Sequence, residues 1–187
     1  MKKNDYIILG IHDAHDASAA IMVGGKIIAA VQEERFSRLK GDYGYPTKAI
    51  EYCLQEVGIQ GSDIDEVVLA SHSWNPVLTK IKRNANFSVA DWVMEQESYW
   101  MPTLLEGKKV NYYDLFKDRD DFNYDNTYPM DHLMDGYMDK SELDEMANIR
   151  IKSIARYLSV PREKIRTITH EECHAYYSYW GVPDRDE

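Results

Sequence analysis

The chain has little of what several protein classes require. Two cysteines in 187 residues, Cys53 and Cys173, supply no disulfide framework and suit a reducing cytoplasm. No apolar run approaches the roughly 20 residues of a membrane span. The basic start Met1-Lys2-Lys3 leads into an apolar stretch broken by His12, Asp13, His15 and Asp16, which is no signal peptide. Basic residues are scarce relative to acidic ones, 22 against 32, for a formal charge of −10. That excess argues against nucleic acid or an anionic membrane as partner, while leaving room for a small basic pocket. What is present is a globular composition, 44% hydrophobic and 29% charged, enough for a core in one or two domains.

The apolar pattern predicts an α/β fold. Tyr6–Ile11, Ala17–Val23 and Lys26–Val31, extending toward Glu34, read as strands. Gly24-Gly25 is a two-residue hairpin signal, so the three form an antiparallel meander. Pro46 opens a helix with Thr47 as its cap; Ala49, Ile50, Cys53, Leu54 and Val57 make its apolar face, and Gly58-Ile59 its stop. A buried strand, Val67–Ala70, follows and ends at Ser71-His72. A second helix spans about 142–158, with Ser141 as N-cap and a stripe of Leu143, Ala147, Ile151, Ile154 and Leu158. Pro161 stops it, and the strand Lys164–Thr169 runs into His170. Helix–strand alternation implies parallel strands. Residues 73–140, rich in Trp, Tyr and Asp, read as an aromatic and acidic insertion that packs over the sheet or lines a site, or as a solvated acidic surface.

Three segments carry candidate chemistry. The first turn, Gly10 to Ser18, holds His12, Asp13, His15 and Asp16, more imidazole than a plain hairpin needs; its alternative is a polar turn with Asx hydrogen bonds. Arg35, Arg38 and Lys40 leave the third strand as an anion-binding set or as a solvated charge run. His170-Glu171-Glu172-Cys173-His174 matches H-E-x-x-H, the zinc-protease pattern. A strand running into a helix start puts both histidines on the first turn, whereas a zinc protease holds them inside a long helix with a further ligand downstream. Downstream, Asp184, Asp186 and Glu187 lie in a polar tail. His170 and His174 face the same way, which suits a divalent metal; Glu171 and Glu172 favour the helix N-terminus, and Cys173 packs on another face.

His15-Asp16-Ala17-Ser18, Gln32-Glu33-Glu34-Arg35-Phe36-Ser37-Arg38, Tyr45-Pro46 and Ala49–Leu54, joined later by His170-x-x-x-His174-Ala175, resemble the O-carbamoyltransferase family of nodulation-factor and antibiotic biosynthesis. The matches lie at the two ends of the chain, and Thr169 stands where the family often has another histidine. The resemblance implies the N-terminal part of an actin-like, ribonuclease-H-type domain over 1–187, lacking the family's YrdC-like C-terminal domain. It implies a cytoplasmic enzyme whose full-length form makes carbamoyl-adenylate from ATP and carbamoyl phosphate and passes the carbamoyl group to an acceptor hydroxyl. By the same resemblance, His15 and Asp16 are catalytic, and His170 and His174 hold an iron-type divalent metal. The implied partners are a small-molecule hydroxyl acceptor and the rest of the polypeptide, without nucleic acid or membrane, and with a homo-oligomer allowed. The fragment alone is then expected to be inactive. Two other readings stand beside it: a zinc hydrolase using His170, Glu171 and His174, and a non-catalytic binding module.

Overall fold

The computed structural model describes residues 5–71, 77–120, 128, 133 and 138–181. Strands β1 (Ile7–His12), β2 (Ser18–Val23) and β3 (Lys26–Gln32) come first. Both glycines of the β2–β3 turn sit at positive φ, Gly24 at 55° and Gly25 at 79°, as a tight hairpin requires. β1 pairs antiparallel with β2, and β2 antiparallel with β3. β4 (Glu66–Ala70) and β5 (Ile165–Ile168) then add parallel to β1, giving one mixed sheet in the order β3-β2-β1-β4-β5.

β3 stops at Gln32 instead of running toward Glu34, because the chain turns into a one-turn helix, α1 (Glu34–Ser37), closed by Arg38 at φ 62°. Helix α2 (Thr47–Val57) begins where the proline predicts, but Thr47 is not its cap. The Glu33 carboxylate takes that role from a distance, accepting hydrogen bonds from the backbone amides of Ala49 at 2.8 Å and Lys48 at 3.2 Å. Gly58, left-handed at φ 74°, ends the helix, and the Ile59 amide bonds back to the Leu54 carbonyl, the closure expected of Gly-Ile.

Two compact units result, residues 1–74 with 151–187, and residues 75–150. In the first, one sheet face is the core. Leu9, Ile21, Val67 and Leu69 pack with Ile50 and Cys53 of α2 and with Ile154 and Leu158. The last two belong to helix α6 (Lys140–Leu158), which starts one residue before Ser141. Asp139 caps it in place of Ser141: its Oδ1 accepts from the Glu142 amide at 2.9 Å while Glu142 Oε2 accepts from the Asp139 amide at 2.9 Å. The buried stripe of α6 also takes in Met146 and Arg150. The described part of the second unit includes α3 (Val77–Asn84), α4 (Val89–Glu95), a π-helical stretch over Gln96–Trp100 and α5 (Met101–Leu105), followed by mostly irregular chain to 120. His72, Trp74 and the acidic tail at 184–187 lie outside the described residues. No described helix is long and apolar enough to cross a membrane.

Candidate functional site

The first turn is a folded polar unit. Asp13 is fully buried, and Asp16 adopts a left-handed backbone at φ 57°, tolerable for Asp and costly for most residues. This bend lets the chain reverse between β1 and β2. It places His15 Nδ1 3.1 Å from Asp16 Oδ2, and His12 Nε2 3.0 Å from the His15 carbonyl oxygen, to which it donates. A β-bridge between His15 and Tyr43, with the Ala17 amide donating to the Asp42 carbonyl at 2.8 Å, ties the segment around Asp42 to the turn. His15 itself stays open to solvent, its side chain 70% exposed. A carboxylate on Nδ1 fixes the tautomer and leaves Nε2 as the basic nitrogen.

Half-buried His12 stands behind it. Burial holds its imidazole below the usual value of about 6.5, and charge on His15 or His170 lowers it further. The unfolded chain therefore binds more protons at this position than the folded one. Its contribution to stability falls as pH drops below about 6.5 toward the depressed native value. In a histidine NMR titration, the His12 resonance is expected to move with a midpoint below about 6.5; a midpoint at or above that value contradicts the placement.

The second histidine pair opens helix α7 (His170–Trp180), directly after β5. Thr169 is the N-cap. Its Oγ1 accepts from the Glu172 amide at 3.2 Å, and Glu172 returns the bond to the Thr169 amide at 2.7 Å. Glu172 is thus spent on capping, and its carboxyl is held low by that bond. The cap fixes the first turn, so His170 and His174 face each other with Nε2 atoms 2.9 Å apart and rings edge-on. Cys173 is half-buried; burial raises its thiol pKa, and the Ser71 backbone hydrogen-bonds it, tying α7 to the end of β4.

β1, β4 and β5 run parallel, so their carboxyl ends share one edge, where open α/β sheets bind ligands. That edge carries the first turn, Ser71 at φ 68°, and the His170 turn. His12 and His170 feel each other's charge across it. The two histidine segments, distant in sequence, therefore belong to one place. Among the described residues no group of three or more His, Cys, Asp or Glu is placed to hold a metal. The pair alone fits half a site: metal–imidazole bonds of about 2.0–2.1 Å let two nitrogens this close share one ion.

The basic segment is organised by its carboxylates. Buried Glu34 accepts from the Gly41 amide at 2.8 Å and pairs with Lys40 at 3.2 Å and Arg35 at 3.5 Å; the amide bond, then Lys40, holds its carboxyl below the usual range. Arg35 and Lys40 thus share one carboxylate, and Arg38 sits at the left-handed end of α1. Arg35 also lines an open cavity of ≈ 540 Å³ on the sheet face opposite the core, with Gln32, Ser18 and His12 among Gly10, Ala20 and Ala30. Sequence reasoning undervalued His12 and Asp13, which it saw in the turn, and missed the structural work of Glu33 and Glu34.

These residues define an α/β domain whose chemistry-bearing side chains gather at one sheet edge. The chain belongs to the carbamoyltransferase family: the family model described as the carbamoyltransferase N-terminus matches residues 7–183. It is similar to an uncharacterized protein of Synechocystis, 52% identical over 62 residues, which is 33% of this chain and 10% of that protein. It is also similar to nodulation protein NolNO of Sinorhizobium fredii, 47% identical over 51 residues, 27% of this chain and 8% of the relative. An uncharacterized Rhizobium etli protein is 39% identical over 70 residues, 36% of this chain and 41% of its own length. The chain thus spans well under two thirds of the curated relatives it matches.

Proposed function

We propose that this chain is the N-terminal part of an O-carbamoyltransferase, which moves a carbamoyl group from carbamoyl-adenylate to an acceptor hydroxyl. One observation carries the reading beyond the family match. The His15–Asp16 pair and the His170–His174 pair arrive, by separate routes of the chain, at the same sheet edge. The order β3-β2-β1-β4-β5, antiparallel first and parallel after, supports an actin-like, ribonuclease-H-type fold. Nothing in the geometry favours the hydrolase reading, since the strand ends just before His170 and the pair lies on the first helical turn.

In this reading His15 Nε2 accepts the proton of the acceptor hydroxyl as its oxygen bonds to the carbamoyl carbon, and the carbon–oxygen bond to AMP breaks. Asp16 holds the tautomer and steadies the imidazolium that results. Arg35, Arg38 and Lys40 offer positive charge to the phosphate-bearing donor, with Arg35 nearest the open sheet face. His170 and His174 hold a divalent metal, iron-type by the resemblance, which when bound supplies Lewis-acid polarisation of carbamoyl or phosphate oxygens. ATP and carbamoyl phosphate are co-substrates of the whole cytoplasmic enzyme, and the rest of the polypeptide completes the site.

The reading is tested on this chain by calorimetric titration with iron(II), manganese(II) and zinc(II) and by a peptide-cleavage assay, beside a His170→Ala, His174→Ala double variant. Expected is weak, saturable binding that acid weakens, since protons compete with the metal for the imidazole nitrogens, and that the double variant lacks. Equal binding by both proteins would make the pair structural. Nanomolar zinc binding with peptide cleavage would establish the hydrolase.

A further inference from the structure

The second unit holds a cavity that the carbamoyl-transfer chemistry does not use. Its volume is ≈ 740 Å³, within the range of about 300–1,000 Å³ typical of small-molecule sites. Tyr99, Trp100, Leu78, Leu104 and Val110 supply apolar wall, and every described lining residue lies between 75 and 150.

Three features separate it from an incidental gap. The wall is built on the π-helical stretch Gln96–Trp100, a departure from α-helix that recurs at functional sites. It sets Tyr99 and Trp100 edge to face, ring centres 4.8 Å apart. The hydroxyl of Thr103, another lining residue, is buried without a hydrogen-bond partner, although a helical threonine ordinarily bonds the carbonyl one turn back. Finally, Asp139 and Glu142 use one carboxylate oxygen each in the α6 cap, leaving Asp139 Oδ2 and Glu142 Oε1 without a partner among the described residues.

The charge around the cavity narrows the occupant. Lys108 is neutralised by Glu106 at 2.7 Å, and Lys109 also lines the cavity, opposite in sign to Asp139 and Glu142. With Lys108 so paired the two carboxylates outnumber Lys109, but both sit in the cap at the α6 N-terminus, whose positive end offsets their charge, so an ionic ligand gains little. Aromatic walls favour an apolar ring face, and the spare carboxylate oxygens accept from hydroxyl groups. We infer that this cavity binds a neutral, hydroxyl-bearing ring molecule, with Trp100 and Leu104 against its ring and Asp139 and Glu142 accepting from its hydroxyls. The inference is independent of the transfer reaction, because the described lining of the cavity belongs to the second unit.

The test is saturation-transfer NMR and tryptophan fluorescence on this whole chain, with phenyl β-D-glucopyranoside as probe and benzoate and cyclohexylamine as charged controls. The neutral glycoside is expected to bind saturably and more tightly than either control. Leu104 is 70% exposed, so Leu104→Glu should keep the fold, checked by circular dichroism, while weakening binding at least tenfold. Thr103→Val, nearly isosteric, should weaken it several-fold and serves if the first variant fails to fold. No binding of the glycoside, tighter binding of a charged control, or binding unchanged in both variants would overturn the inference.

Discussion

Replacing His15 by alanine in the full-length protein is expected to slow carbamoyl transfer by about 10²–10⁴, the usual cost of losing a general base, while leaving carbamoyl-adenylate formation at the wild-type rate. The side chain is 70% exposed and, among the described residues, makes its one side-chain hydrogen bond to Asp16, so its removal should not disturb the fold. The selectivity follows from placement, since the resemblance assigns adenylate formation to a separate domain. Pyrophosphate release and acceptor carbamoylation, measured side by side, separate the two steps. Asp16→Asn should lie between wild type and His15→Ala in transfer rate, because it keeps the hydrogen bond and loses the charge. Equal loss of both steps, or of neither, would remove His15 from the chemistry.

Lys82→Met is expected to destabilise the second unit by the lower part of about 3–5 kcal/mol, the cost of stranding a buried charge. Glu95 is 1% exposed; its Oε1 takes an ion pair from Lys82 at 2.8 Å and a hydrogen bond from the Tyr112 hydroxyl at 3.1 Å. The lysine also lies over the Phe87 ring, 4.7 Å from its centre. The lower part applies because a third of its side chain remains in water. Lys82→Met/Glu95→Gln should recover part of the loss, since it removes the stranded charge as well. Urea unfolding followed by tryptophan fluorescence reads both. A single variant as stable as wild type would mean that water reaches Glu95.

The sheet was legible because its signals are local and redundant. Gly24-Gly25 fixes one hairpin, and Leu9, Ile21 and Val67 mark buried strands whichever neighbours they find. Helix ends were less so. Gly58 stops α2 through its own backbone, but the cap at its other end comes from Glu33, fourteen residues before Thr47, which no window on the helix reveals. In the segment Gln32 to Lys40 the cations Arg35, Arg38 and Lys40 were legible, but not that Glu33 and Glu34 bind backbone amides. The site was half legible. His170 and His174 stood out by residue type and spacing, whereas His15 and Asp16 were set apart from the rest of their turn only by the family resemblance. Their meeting at one edge depends on β1 and β5 being parallel and separated by β4 alone, a fact of topology. His12 was passed over because burial, not spacing, sets it apart. Over 89–105 the periodicity is weak because the described helices are short and interrupted by a π-helical stretch.

The most direct measurement is label transfer from carbamoyl phosphate by the full-length protein with ATP, wild type against the His170→Ala, His174→Ala double variant, over a panel of hydroxylated acceptors. The expected result is a carbamate ester on an acceptor oxygen, formed by the wild type and reduced by at least about a hundredfold in the double variant. No label on any acceptor, or a double variant as active as the wild type, would contradict a carbamoyl-transfer site at this sheet edge.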